Sequence, residues 1–205
     1  MFTGIITAIG TIREAKDLGD LHAVITCPWD PAGIAIGASI ACSGTCLTVI
    51  AKGGEAGNAW FSVSISAETI ACTVPGRWHE GTALNLEPAM KLGDELGGHI
   101  VTGHVDGVGE VVSITPEGQS RRFVIAAPKA LAPYLAPKGS ITMDGVSLTV
   151  NDVADQADGT CHFMLNIIPH TGEVTTLGGL TAGDKVNLEI DVLARYLQRM
   201  QAVRG

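Results

Sequence analysis

Short runs rich in Val, Ile and Thr alternate apolar with polar residues, cut about every ten residues by Gly or Pro. Alternation sends one face of each run into a core and the other to water, so the pattern predicts an all-β chain of many short strands and tight turns. Turns are expected at Gly53-Gly54 and Asp158-Gly159, and Asn85-Leu86-Glu87 and Asn187-Leu188-Glu189 read as alternating strands. Helical periodicity is scarce. Lys129 to Leu135 suits one short helix, limited by Pro133. From Asp191 onward, Leu193, Tyr196, Leu197 and Met200 fall at i, i+3, i+4 and i+7, a single helical stripe. Asp191 is a suitable N-cap, and Arg199 and Arg204 suit the C-terminal end of the dipole. The apolar stripe needs a cover, either the body of its own chain or the same helix of other subunits.

The chain contains itself twice. Phe2–Ile12 aligns with Val101–Val111, sharing Thr, Gly and Gly, and Ala38–Val49 aligns with Gly139–Val150 at 6 of 12 identical positions. Glu68–Glu87 aligns with His170–Glu189 at 7 of 20 positions, in the same order along the chain. The offsets, 99, 101 and 102, drift only as small loop insertions would make them. A period this long is a duplicated domain, not a solenoid. Each copy reads as about six strands, and closure into a Greek-key barrel removes exposed edges. The expectation is two tandem six-stranded Greek-key β-barrels, 1–97 and 98–190, with a C-terminal α-helix over 191–205.

Composition narrows the function. With 13 Lys and Arg against 21 acidic residues, the net charge is −8, which argues against a nucleic-acid partner. Apolar stretches are broken well before the roughly 20 residues that span a bilayer, and Met1-Phe2-Thr3-Gly4 lacks the features of a signal peptide. A soluble, cytoplasmic protein with no membrane partner is expected. Five cysteines, Cys27, Cys42, Cys46, Cys72 and Cys161, are an odd number and read mostly as buried thiols.

If the fold is duplicated, residues common to both halves serve folding, and polar differences at matched positions mark chemistry. Ile5 faces His104 in the alignment, Cys46 faces Ser147, and Glu68 faces His170. Two unlike polar surfaces on one scaffold suit two copies of one small molecule held in different orientations. The Thr-Gly pairs at 3–4 and 102–103 permit close backbone approach to a ligand. Cys46 with Thr48, and Ser147 with Thr149, each share a strand face suited to a flat polar heterocycle, or else simply turn hydroxyls to water. Cys42-x3-Cys46 and His99-x4-His104 have metal-like spacings, but a five-residue step sends the two histidines to opposite faces of a regular strand. Gly107-x-Gly109 lacks the helix of a dinucleotide site, and no phosphate loop is present. Cys46 activated by His104 as a covalent nucleophile is a further alternative, with Ser147 as its unlike twin.

Jointly, MFTGI, GASIACSGTCLTV, LGDELGGHIVTGHVDGVG, GSITMDGVSLTV, IPHTGEVTTLG and VNLEIDVLARYL resemble riboflavin synthase from Met1 to about Met200. The resemblance implies lumazine-binding barrels and a helix that assembles a homotrimer. It implies transfer of a four-carbon unit between two molecules of 6,7-dimethyl-8-ribityllumazine, without a metal or redox cofactor. Active sites would lie between the N-terminal barrel of one subunit and the C-terminal barrel of its neighbour. The N-terminal site then resembles Gly4, Ile5 and Ile6, Thr45, Cys46 and Leu47, and Ser64, Ile65, Ser66, Ala67, Glu68 and Thr69. The C-terminal site resembles Thr102, Gly103 and His104, Lys138, Ser147, Leu148 and Thr149, and Asn166, Ile167, Ile168, Pro169, His170 and Thr171. Phe2, Ser39, Cys46 and His104 match positions tied to activity, and Asp191 matches an acid near the last strand. Ser147 and Thr149 suit hydrogen bonds to the ring or proton relay. Cys42-Ser43-Gly44 stands where Val-Asn-Gly is usual, and Gly172 where Leu is common, departures that touch fine specificity. Some relatives hold a lumazine or flavin as a non-catalytic antenna, and others sit within a lumazine synthase capsid.

Overall fold

The structure, a computed structural model, describes residues 1–204. Its first half is a closed barrel of β1 (Ala8–Asp17), β2 (Leu21–Cys27), β3 (Ser39–Cys42), β4 (Thr45–Glu55), β5 (Asn58–Ile65) and β6 (Ala83–Pro88). The ring order is β1-β2-β5-β4-β3-β6, all antiparallel, and it closes where Ala8 pairs with Leu86. Inward positions put Ile12, Ile25, Phe61, Val63, Leu84 and Leu86 out of contact with water. Burying side chains of this size contributes about 1.5–3 kcal/mol each, which sets the register of every strand.

The second half repeats the plan with one change. Its strands are β7 (Gly107–Glu117), β8 (Ser120–Ala127), β9 (Ser140–Met143), β10 (Val146–Thr149), β11 (Asp152–Asp155), β12 (Cys161–Ile167) and β13 (Lys185–Ile190). They form a curled sheet in the order β10-β9-β13-β7-β8-β12-β11. Seven strands stand where six are expected because the twin of β4 is interrupted. β4 bulges between Val49 and Ala51 but stays paired; at the matched place, after Val150, the chain divides into β10 on β9 and β11 on β12. Asn151 N–H reaches Met164 O at 2.8 Å, extending the pairing of β11 with β12 back to the break. The bulge of β1 at Ile12/Glu14 recurs in β7 at Val111/Ser113.

Two one-turn helices, α1 (Ala67–Cys72) and α2 (Pro169–Val174), follow β5 and β12 at matched positions. Ser66 Oγ caps α1 by accepting the Thr69 N–H at 3.2 Å, while α2 begins on Pro169, whose ring pre-sets φ for the first turn. Neither shows in the hydrophobic pattern, because so short a helix carries no periodicity. Lys129–Tyr134 is a 3-10 helix anchored by buried Leu131, with Pro133 inside it. The last element, α3 (Val192–Ala202), is capped by Asp191, whose Oδ1 accepts the Leu193 N–H at 2.9 Å. Arg195 pins it to Asp106 of the second half, at 2.7 Å. Its apolar stripe does not fold back: Leu193, Tyr196 and Leu197 are 61–65% exposed.

The halves meet across an internal twofold axis. Phe2 and Val101 exchange backbone hydrogen bonds of 2.8 and 3.1 Å. The Asn85 side chain donates to Asp144 O, and its twin Asn187 donates to Ser43 O, both at 2.9 Å. A Cβ on Gly44 would stand 2.9 Å from Gly145 N, so only glycines let the turns touch. One contact breaks the symmetry. Arg77 grips buried Asp144 through two bonds of 2.7 and 3.2 Å, whereas the twin of Asp144 is Ser43.

Candidate active site

One buried carboxylate in each half, two in all, builds the candidate site. Glu87 on β6 accepts the Thr3 N–H at 2.7 Å, the Thr3 hydroxyl at 2.8 Å and the Gly4 N–H at 2.9 Å. Glu189 on β13 does the same for Thr102 N–H, Thr102 hydroxyl and Gly103 N–H, at 2.7, 2.6 and 2.9 Å. Burial pushes both carboxyl pKa values up, and the donors pull against it. Each carboxylate thus shapes a Thr-Gly loop whose glycine sits at φ +77°, a conformation that favours residues without a Cβ.

The loops then cross over. Gly4 O accepts the Ser147 N–H, and Gly103 O accepts the Cys46 N–H, both at 2.8 Å. A Cβ on Gly4 would lie 2.6 Å from Ser147 Cβ, and one on Gly103 would lie 2.7 Å from Cys46 Cβ. This corrects the grouping expected from sequence. Gly4 belongs with the second half's β10, and Gly103 and His104 belong with the first half's β4. No one-dimensional pattern carries that exchange, because it depends on how the two barrels dock.

On the first half's face, Thr45, Cys46, Glu68, Thr69, Cys72 and His104 line a small pocket of about 170 Å³. The Cys72 thiol points to Glu68 Oε1 at 3.4 Å, and that carboxylate holds the thiol pKa up. Ser39, opposite Thr48 in register, and Ile5 instead line a wider cleft of about 740 Å³ with Trp29, Ile34 and Met90.

On the second half's face stands a pair that the residue reading did not assign. His99 Nδ1 lies 2.7 Å from Ser147 Oγ, and its Nε2 is buried without a partner. Burial pushes the imidazole pKa down, with Asp191 pulling it up. A neutral imidazole joined to a hydroxyl can pass a proton in either direction. Gly98 permits the approach, since a Cβ there would meet Ser147 Oγ at 2.8 Å. The duplication gave no signal for it, since His99 lies just before the aligned repeat that starts at Val101.

Several expected residues do not present side chains to either face. Phe2 is fully buried against Ala41, Val101 and Cys46, so it acts by holding the loops in place. Leu47, Ile65 and Ile167 point into the barrel cores, as strand alternation requires, and reach the surface only through backbone. Ile6 and Leu148 pack on the second core. Ser64, Ser66, Ala67, Lys138, Thr149, Ile168, Pro169 and His170 are exposed, while Thr102, Asn166, Thr171 and Asp191 are half-buried.

This duplicated architecture has known counterparts. The lumazine binding domain matches the chain twice, over residues 3–89 and 102–191. A riboflavin synthase from Brucella abortus (strain 2308) is 49% identical over 202 residues, covering 98% of each chain. The chain belongs to the riboflavin synthase family. Another member, from Bacillus subtilis (strain 168), is 36% identical over 97% of this chain and 89% of its own length. Among solved structures, LumP complexed with 6,7-dimethyl-8-(1'-D-ribityl) lumazine aligns with a TM-score of 0.77 and 26% identity, covering 93% of this chain and 99% of that one. Both halves of the riboflavin synthase frame are therefore present here, each with its carboxylate, its Thr-Gly loop and its hydroxyl or thiol strand.

Proposed function

We propose that this chain transfers a four-carbon unit between two molecules of 6,7-dimethyl-8-ribityllumazine. The products are riboflavin and 5-amino-6-ribitylaminouracil. Atoms balance without an oxidant or reductant, since what one molecule loses the other gains. The observation that carries the reading is identity of 49% to a riboflavin synthase over essentially the whole chain, joined to two unlike polar faces on one duplicated scaffold.

The residues fit the chemistry. Loss of a proton from the C7 methyl gives a carbanion delocalised into the ring, and the His99–Ser147 pair is placed to take up and return a proton on one face, with the His104 imidazole lining the pocket on the other. The second lumazine is attacked at its own C7. Holding two like molecules face to face in opposed orientation supplies much of the acceleration, of the order of 7–11 kcal/mol for well-aligned partners. The exposed stripe of α3 supports a homotrimer in which one subunit's first half faces its neighbour's second half. Such an enzyme would work in the cytoplasm, alone or within a lumazine synthase capsid. A solution of purified protein and the lumazine, followed by absorbance, tests the reading: flavin accumulates if it is right. A fluorescent complex with no flavin formed would instead make the chain a lumazine-holding antenna.

A further inference from the structure

One wall of the first half's pocket has little footing of its own. α1 supplies Glu68, Thr69 and Cys72 to the pocket beside His104, yet none of its six residues is buried. A single helical turn without an apolar anchor does not hold its shape unaided. What holds it lies just past its end. Thr73 Oγ1 donates to Thr69 O at 2.8 Å and accepts the indole N–H of Trp78, which is buried in the first core, at 2.8 Å. The segment then reaches across to the other half. Val74 N–H donates to Asn187 Oδ1 at 2.8 Å, and Arg77 adds to its two bonds with Asp144 a third, to Lys185 O at 3.3 Å. Asn187 and Lys185 lie on β13, and Asp144 lies in the turn between β9 and β10.

The matched wall is held differently. Thr175 Oγ1 donates to Thr171 O at 2.6 Å and Thr176 N–H to Asn85 Oδ1 at 2.8 Å, as the duplication requires. Gly179, however, stands at the place of Arg77, and Ser43 at the place of Asp144. Arg121 takes over from β8 of the same half, donating to Gly178 O at 2.7 Å and Leu180 O at 3.1 Å. The arginine clamp on α2 is therefore internal to its half, whereas the clamp on α1 crosses the axis.

We propose that Arg77 is a positioning residue for the first half's site: its grip on Asp144 fixes the exit of α1 and so holds Glu68, Thr69 and Cys72 in place against Cys46 and His104. The role rests on the lumazine reading of that pocket, and riboflavin, the proposed product, is the probe because it is not consumed. Cys72 is an exposed thiol in the pocket wall, so a bound ring shields it from iodoacetamide, and peptide mass spectrometry gives the riboflavin concentration that halves its alkylation. Arg77→Ala should raise that concentration about tenfold, the loss expected when a wall must be ordered by its ligand. R77A/D144S removes the stranded carboxylate and so regains stability, but it leaves α1 unclamped; shielding should stay weakened about as much as in R77A, and this variant carries the test if R77A does not fold. Arg121→Ala, which loosens the other clamp, should leave Cys72 shielding within about twofold of the parent. Shielding unchanged in R77A, shielding that returns with stability in the double variant, or an equal loss in Arg121→Ala overturns the proposal. If the protein forms flavin from lumazine but riboflavin never shields Cys72, this role fails and the reaction stands. If shielding shifts as expected but no flavin forms, the reaction fails and the positioning role stands.

Discussion

The Arg77–Asp144 pair is the sharpest place to test how the halves are held together. Its side chains are 10% and 2% exposed. Asp144 also accepts the Asn187 N–H at 2.8 Å. Replacing Arg77 by Ala leaves a carboxylate buried at the junction with its counter-charge gone, a loss expected to cost about 3–5 kcal/mol. For a chain of this length that corresponds to a fall in Tm of roughly 6–20 °C. Burial already pushes the Asp144 pKa up against the pull of Arg77, and the variant removes that pull. A carboxyl raised above its unfolded value favours the fold only while protonated, so the deficit should grow as pH rises through the folded pKa. The variant should come closest to the parent in acid. Asp144→Ser copies the opposite side of the axis, and R77A/D144S removes both charges together. Urea melts of the four proteins form a cycle in which the double variant should recover about 2–3 kcal/mol relative to the summed singles. Additivity within about 0.5 kcal/mol, or a pH-independent loss in R77A, would refute the reasoning.

Three further outcomes follow from the geometry. His99→Asn should lower turnover about 100-fold or more while leaving lumazine affinity within a few-fold, by kcat against Kd. Because the buried His99 pKa is depressed, its neutral form stabilises the fold above its unfolded value, and stability falls as pH drops through the folded one; the same variant should flatten that acid limb in thermal melts. Gly103→Ala adds a Cβ 2.7 Å from Cys46 Cβ at φ +77°, so it should cost about 2 kcal/mol or more and weaken lumazine binding to the first half, read by calorimetry. Deleting 191–205 should release monomers in light scattering; an intact trimer would show that α3 is not the assembling element.

The duplicated fold was legible because its signals are local or periodic. Asn85-Leu86-Glu87 and Asn187-Leu188-Glu189 became β6 and β13, and the stripe from Leu193 to Met200 became α3. The same alternation misleads at Leu47, Ile65 and Ile167, where a run matched to a family motif includes residues turned inward. The exchange of the Thr-Gly loops comes from docking of the halves, and the meeting of His99 with Ser147, 48 residues apart, from the folding of the second half; neither spacing nor period encodes them. The division of β10 from β11 is a small departure from a pattern whose twin merely bulges, and nothing in Val150-Asn151 announces it.

The internal axis has the form of an isologous interface, in which a contact made by one partner recurs with roles reversed in the other. Between separate identical chains every substitution appears twice, and a charge placed at the seam must face its own image. Joining the two copies in one polypeptide lifts that constraint. An acid can settle on one side and its base on the other, as Asp144 and Arg77 do, and a histidine can stand beside one strand alone. The covalent link is thus what lets two ancestrally equal surfaces drift into complementary jobs.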